Sequence, residues 1–442
     1  MKKSLFKSAI ALLIVFIFST TFLLSGCGKS ADSNVSQTSG NKDGEITTLD
    51  FMYWDDSEGT KKVFEDYAKN FEVQNKNIKI NLQIVPPGDQ YYGQLDTRIA
   101  GKEAPDVVRL EYQKLGRYAY SNALLDLTNE ISKENLDDLF PAFKSAVTFN
   151  EKLYGMPHHT DTYALFYNKD LLQKAGISVP TSIDKAWSWD EFLDVARTIK
   201  QKTDVKYPFA YRWTKFNGYY VDPLVYMNGA SFLNNDFTKA NMNTPQGVEF
   251  FKFIQTWVKE GMVPSVTPNT PDPIDELFTS GACAMIFSGC WMMENYDKNF
   301  KDKWGVTYLL QKNGKSGATF GGNAMSALAQ SKHPKEAIKF VEFITNAENS
   351  KAICEGAGFL PVRKSLEDGS VKYLTFNDEM QIFIKQSSTI DPMMMKVESL
   401  DKFSEINKVF GDSIEKIVAL DGQPEQVAKE MDDEVNKILN EK

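Results

Sequence analysis

Hydrophobic positions recur along this chain with two periods, and the periods alternate. Leu49–Met52 is a short, mostly apolar run that reads as a strand. Val63, Phe64, Tyr67 and Phe71 follow at helical spacing. Ile78, Ile80, Leu82 and Ile84 alternate strictly with polar residues and stop at Pro86-Pro87, a second strand. Tyr91–Ala100 reads as a helix and Val107–Leu110 as a strand. The order β-α-β-α-β predicts an open α/β sheet with right-handed crossovers.

Later helices carry start signals. Ser188 and Glu191 form a capping box ahead of Phe192, Leu193, Ala196 and Ile199. Thr244 caps and Pro245 opens a helix bearing Val248, Phe251, Ile254 and Val258, stopped by Gly261. Pro334 opens another, with Ala337, Phe340, Val341 and Ile344 on one face. Phe403–Leu439 is helical in composition and broken at Gly422 and Pro424. No internal repeat is visible. At 442 residues the chain is long enough for two or three domains.

The N-terminus departs from this pattern. Lys2, Lys3 and Lys7 precede an apolar stretch, Ala9–Leu24, that ends in Leu24-Ser25-Gly26-Cys27. A positive start, an apolar run and a small-residue cleavage site read as a secretory signal. Ser19, Thr20 and Thr21 interrupt a run already short for a membrane span. The tetrapeptide resembles the bacterial lipobox, which implies cleavage before Cys27 and a diacylglyceryl group on its thiol. Two acyl chains anchor stably where one does not. Gly28–Gly44 is polar but for Ala31 and Val35 and reads as a flexible tether. The fold is expected to begin near Glu45.

Removing that leader takes the formal net charge from −9 to −12. A surface this acidic repels nucleic acid and anionic membranes. Beyond Cys27, Cys283, Cys290 and Cys354 make an odd count and read as small buried hydrophobes.

Candidate chemistry lies at strand ends, because open α/β sheets bind ligands beyond the carboxyl ends of their strands. Tyr53-Trp54-Asp55-Asp56 follows the first strand, and Glu111-Tyr112-Gln113 follows the third. Each sets a ring beside a carboxylate. A sugar uses both: its C–H face stacks on the ring, and its hydroxyls donate to the acid. The aromatic cluster Tyr207–Tyr220 adds Trp213 and Tyr219. Signals for catalysis fail. Gly28-Lys29-Ser30 and Gly314-Lys315-Ser316 end like phosphate loops but have Leu23 and Leu309 where the first glycine belongs. No G-x-S-x-G occurs. His158-His159 with Asp161 lacks the spacing of helical zinc ligands. No catalytic residue, cofactor or metal is expected. A surface-anchored glycosidase or lyase stays open as the alternative, since its paired carboxylates need not be neighbours in the chain.

Several segments together resemble a known family. Tyr154-Gly155-Met156-Pro157, then Leu165-Phe166-Tyr167-Asn168-Lys169-Asp170-Leu171-Leu172 with Lys174-Ala175-Gly176-Ile177, look like family 1 extracellular solute-binding proteins of ABC importers. So do Trp189-Asp190-Glu191-Phe192, Gly281-Ala282-Cys283-Ala284-Met285 with Gly289-Cys290-Trp291, Gly321-Gly322 and Gly358-Phe359-Leu360-Pro361, in the family's order. Cys283 stands where the family usually has Ala.

The resemblance implies an α/β, periplasmic-binding-protein-like fold: two α/β lobes joined by a hinge of crossover segments and closing on a sugar. It divides the chain into a signal peptide (1–26), a tether (27–44), lobe 1 (45–158 and 319–368) and lobe 2 (159–318 and 369–442). The crossovers fall near Pro157–Asp161, Ala318–Gly322 and Ser365–Phe376. Carried over as ligand-binding positions are Trp54, Asp55, Glu111, Tyr112, Thr160, Asp161, Trp291, Gly321, Gly322 and Arg363, with Tyr219 added from the aromatic cluster. The implied partners are a sugar or oligosaccharide and the transmembrane subunits of an ABC permease. The implied place is the extracellular face of the membrane, reached only through the lipid, as a monomer.

Overall fold

A computed structural model describes residues 46–441, apart from 56, 214–217, 265–273 and 368. The signal peptide, the tether and Cys27 lie outside the described residues. The chain opens with strand β1 (Thr47–Tyr53), helix α1 (Glu58–Gln74) and β2 (Ile78–Ile84). Ser57 starts α1 by accepting from the Thr60 N–H at 3.2 Å. The apolar stripe of α1, from Val63 to Phe71, is buried. Helix α2 (Asp89–Ala100), strand β3 (Val107–Glu111), helix α3 (Tyr112–Tyr120) and the short α4 (Pro141–Ala146) follow, then β4 (Met156–His159).

The chain then changes sheets. β5 (Tyr163–Asn168) begins four residues after β4 ends and pairs with β7, not with β4. The second region contains α5 (Trp189–Lys202), β6 (Tyr207–Ala210), α6 (Asp222–Met227), α7 (Pro245–Lys259), β7 (Cys283–Gly289) and β8 (Trp304–Thr307). The capping box read at Ser188 and Glu191 is present, and Thr244 accepts from the Gly247 N–H. β9 (Asn323–Ala327) returns to the first sheet, followed by α8 (Pro334–Ile344) and α9 (Ala347–Ala357). Four helices close the chain: α10 (Asn377–Ser387), α11 (Pro392–Glu398), α12 (Phe403–Val418) and α13 (Pro424–Asn440).

The first sheet has the order β2-β1-β3-β9-β4, and the second β8-β5-β7-β6. β1 pairs in parallel with β2 and β3, as the alternating β-α-β pattern requires, and β9 runs antiparallel between β3 and β4. The fold class is therefore the expected one of two α/β lobes. Each lobe has a sheet covered by helices: α1 and α8 pack on the first, α5 and α10 on the second. Helix α11 lies between them, touching α4 on one side and α6 on the other.

The first and second crossover segments run beside a third stretch at Leu360, upstream of the Ser365–Phe376 segment expected as the third crossover. The backbones of Thr160 and Leu360 exchange hydrogen bonds at 2.9 and 2.8 Å. Gly321 N–H donates to Asp161 O, and the Thr162 hydroxyl donates to Thr319 O at 2.9 Å. This contact needs glycine. Gly322 has φ +84°, and a Cβ there would sit 2.3 Å from His159 O. Among the described residues, Cys283, Cys290 and Cys354 are buried and unbonded.

Candidate functional site

Between the lobes lies a cleft of ≈ 760 Å³, within the usual range for small-molecule sites. β3 delivers Glu111 at its carboxyl end, and the first turn of α3 adds Gln113 and Lys114. The first crossover contributes Asp161, and the second Gly321 and Gly322. Opposite them, two short 3-10 turns present aromatic rings. Gly218–Tyr220 carries Tyr219 and Tyr220, and Cys290–Met292, just beyond β7, carries Trp291. Helix α12 supplies Phe403, Ser404 and Asn407, and α11 ends in Glu398.

Asp161 is held from both sides. The Tyr219 hydroxyl donates to its Oδ1 at 2.7 Å. A Cβ on Gly321 would sit 2.1 Å from the same oxygen, so only glycine lets the carboxylate lie against the second crossover. Burial first, and then the Asp161 charge, pushes the Tyr219 phenol well above its ordinary value, so this hydroxyl stays a donor. Glu111 accepts from the Tyr92 hydroxyl at 3.2 Å. Trp291 is 47% exposed, unusual for so large an apolar ring, and lies 6.0 Å from Tyr219, centroid to centroid. Together these form an aromatic wall facing fixed carboxylates. Lys114 is the one cation among the described lining residues, against Glu111, Asp161 and Glu398.

The cleft thus brings together Glu111, Asp161, Tyr219, Trp291, Gly321 and Gly322. The remaining sequence candidates lie elsewhere. Trp54 turns into the first lobe, edge-on to Tyr91 at 4.8 Å with the Arg109 guanidinium 4.4 Å over its ring. Asp55 is half-buried beside it, at the end of β1. Tyr112 is fully buried against Phe143 and Phe320, and its hydroxyl donates to His159 O at 3.1 Å. Thr160 is spent on the crossover, its hydroxyl donating to Gly321 O at 3.1 Å. Trp213 packs on Tyr211 and Trp257 in the second lobe. Arg363 is buried in the first lobe, bound to Asp138, Ser350 and Thr345 O. The described lining residues that were not sequence candidates are Gln113, Lys114, Gly218, Tyr220, Glu398, Phe403, Ser404 and Asn407.

Among the described residues no group of three or more His, Cys, Asp or Glu is placed to hold an ion. His158 and His159 end β4 and are fully buried. Burial, and then Arg109, holds both rings well below the ordinary histidine range. His159 Nε2 sits 3.0 Å from Arg109 Nη2 and 3.2 Å from Asn323 Nδ2. A guanidinium only donates, so this nitrogen is the acceptor.

A family profile described as bacterial extracellular solute-binding protein matches residues 66–378. The chain belongs to that family. This solute-binding protein is similar to the arabinooligosaccharide-binding protein of Bacillus subtilis, 24% identical over 364 residues and 79% of each chain. It is also similar to a maltooligosaccharide ABC transporter solute-binding lipoprotein of Streptococcus pneumoniae, 27% identical over 399 residues and 84% of each. Among solved structures it resembles an ABC substrate-binding protein of Listeria monocytogenes in complex with cycloalternan. The TM-score is 0.73 and the identity 25%, over 90% of this chain and 100% of that one. The solute-binding role and the two-lobed fold expected from the sequence both stand.

Proposed function

We propose that this solute-binding protein captures an uncharged sugar or short oligosaccharide between its lobes and delivers it intact to the transmembrane subunits of an ABC importer. The observation that carries the reading is the half-exposed Trp291 in the same cleft as Asp161 and beside Tyr219, whose hydroxyl fixes the Asp161 carboxylate. A pyranose stacks one face on such a ring while its rim hydroxyls donate to the acid. The excess of carboxylates over cations at the lining disfavours uronates and sugar phosphates. The names of the relatives, arabino- and maltooligosaccharide binders, support the substrate class.

A thermal-shift screen tests this directly. Maltooligosaccharides and arabinooligosaccharides are compared with galacturonate oligomers and glucose phosphates. A ligand at about 100 Kd adds roughly 2.7 kcal/mol of stability, a clear rise in Tm. At least one neutral sugar should give that rise, contract the protein in small-angle scattering, and be recovered uncleaved. A rise with the anionic sugars alone overturns the reading, as does cleavage of the ligand.

The lipid anchor belongs to the same proposal. Leu24-Ser25-Gly26-Cys27 follows the apolar run, and the S. pneumoniae relative is itself named a lipoprotein. Cys27→Ala should move the protein from the membrane fraction to the medium in a Gram-positive host. Retention on the membrane removes the anchor from the account.

A further inference from the structure

The exposed indole of the cleft lies against bare backbone. Three consecutive atoms of the six-membered ring of Trp291, Cη2, Cζ3 and Cε3, would be 2.2, 2.2 and 2.4 Å from a Cβ placed on Gly289, where ordinary contact begins at 3.4 Å. Gly289 ends β7 and is buried. Its backbone is extended, with φ −89° and ψ 163°, a conformation open to any residue. Chain geometry therefore does not call for glycine at this position; the ring does. A glycine inside a strand costs stability and marks a place where another group approaches closely.

The main chain on either side is pinned. Gly289 pairs with Tyr163 of β5. The next N–H, that of Cys290, donates to Thr162 O beside the first crossover at 3.4 Å, and Cys290 Sγ lies 4.0 Å from Gly358 O. The backbone cannot slide to make room for a side chain, so the indole would have to give way. Of the seven tryptophans Trp291 alone is exposed. An exposed side chain ordinarily moves among several rotamers. Here the floor of Gly289 and the flank of Tyr219, 6.0 Å away, confine it. Asp161 stands in the same relation to Gly321, so the ring and the acid of the cleft each lie on a glycine.

We propose that Gly289 is a positioning residue for the ligand: its missing side chain lets the Trp291 indole lie down on the end of β7, which sets the orientation of the stacking face before the ligand arrives. The role rests on the sugar reading of the cleft. A ring already held in its binding orientation gives up less rotamer freedom on capture, and affinity rises by that saving. A methyl group at position 289 occupies the volume that the ring fills. The ring then leaves its seat, and the stacking face goes with it.

A double-mutant cycle tests this on the mature protein with the sugar found in the screen. Gly289→Ala should weaken binding by about tenfold or more, as Trp291→Ala should. In the Trp291→Ala background the same glycine change should cost nothing further, because the methyl enters space the ring has left. A purely structural role for Gly289 gives additive losses instead. ¹⁹F NMR of the empty protein labelled with fluorotryptophan reads the seat without any sugar. The Trp291 resonance, assigned by its absence from Trp291→Phe, should shift in Gly289→Ala while the remaining resonances stay. Additive losses in the cycle overturn the proposal, and so does an unmoved Trp291 resonance. If no sugar in the screen binds, the sugar reading fails and the ¹⁹F experiment still decides the seat. Should Gly289→Ala not fold, the double variant decides: recovery of the fold on removing the indole supports the contact, and continued failure overturns it.

Discussion

Arg363→Ala should lower the free energy of unfolding by about 3–5 kcal/mol, the usual cost of removing one partner of a buried charge pair, while the folded protein keeps its sugar affinity. The side chain is fully buried and takes part in five hydrogen bonds. Its Nη1 donates to Asp138 Oδ2 at 3.1 Å and to Asn135 O at 3.3 Å. Its Nε donates to Thr345 O at 2.9 Å and Ser350 Oγ at 3.2 Å, and Nη2 also reaches Thr345 O. Truncation leaves buried acceptors without donors and opens a cavity in the seam that joins α9 to the segment before α4. Arg363→Lys should recover little, because one ammonium cannot span acceptors on opposite sides. Urea unfolding measures the loss. A variant of undiminished stability with sugar binding weakened tenfold would place Arg363 at the ligand instead.

Trp291→Ala should weaken binding of the sugar found in the screen by at least tenfold with Tm of the empty protein nearly unchanged. The ring is already 47% exposed, so the empty fold loses little on truncation. A tryptophan buries about 150–250 Å² when covered, and roughly half of that remains for a ligand to cover. At about 25 cal/mol per Å² this is about 2–3 kcal/mol, more than one decade in Kd. Calorimetric titration reads it. Unchanged affinity would mean that the ligand stacks on Tyr219 or Phe403 and leaves Trp291 as rim.

The parts of the fold that were legible are those whose signal is local. β1, β2 and β3 alternate with amphipathic helices, and the capping residues Ser188 and Thr244 mark helix starts at the level of single side chains. β7 and β9 are buried on every residue, so they carry no alternation to read. β9 pairs with β3 more than two hundred residues upstream. The site follows the same division. Glu111 was visible from its place at a strand end, whereas Asp161, Trp291, Gly321 and Gly322 rested on resemblance to a family. The strand-end rule also pointed to Trp54 and Tyr112, but it gives a location and not a direction. Trp54 turns inward to stack with Arg109, and Tyr112 turns inward to bond the crossover. Glu398 and Asn407 reach the cleft from helices that belong to neither sheet, where no local pattern announces them.

The place of β9 in the first sheet bears on how the molecule is made. Until Asn323–Ala327 has been synthesised, β3 keeps a bare edge and β4 has no neighbour in that sheet. The ribosome has by then produced nearly three quarters of the chain. Closing so long a loop costs entropy before any contact repays it. The first lobe therefore cannot be completed vectorially, from the N-terminus onward. A nascent chain halted between residues 308 and 322 holds every strand of the second sheet but lacks the one that joins β3 to β4 in the first.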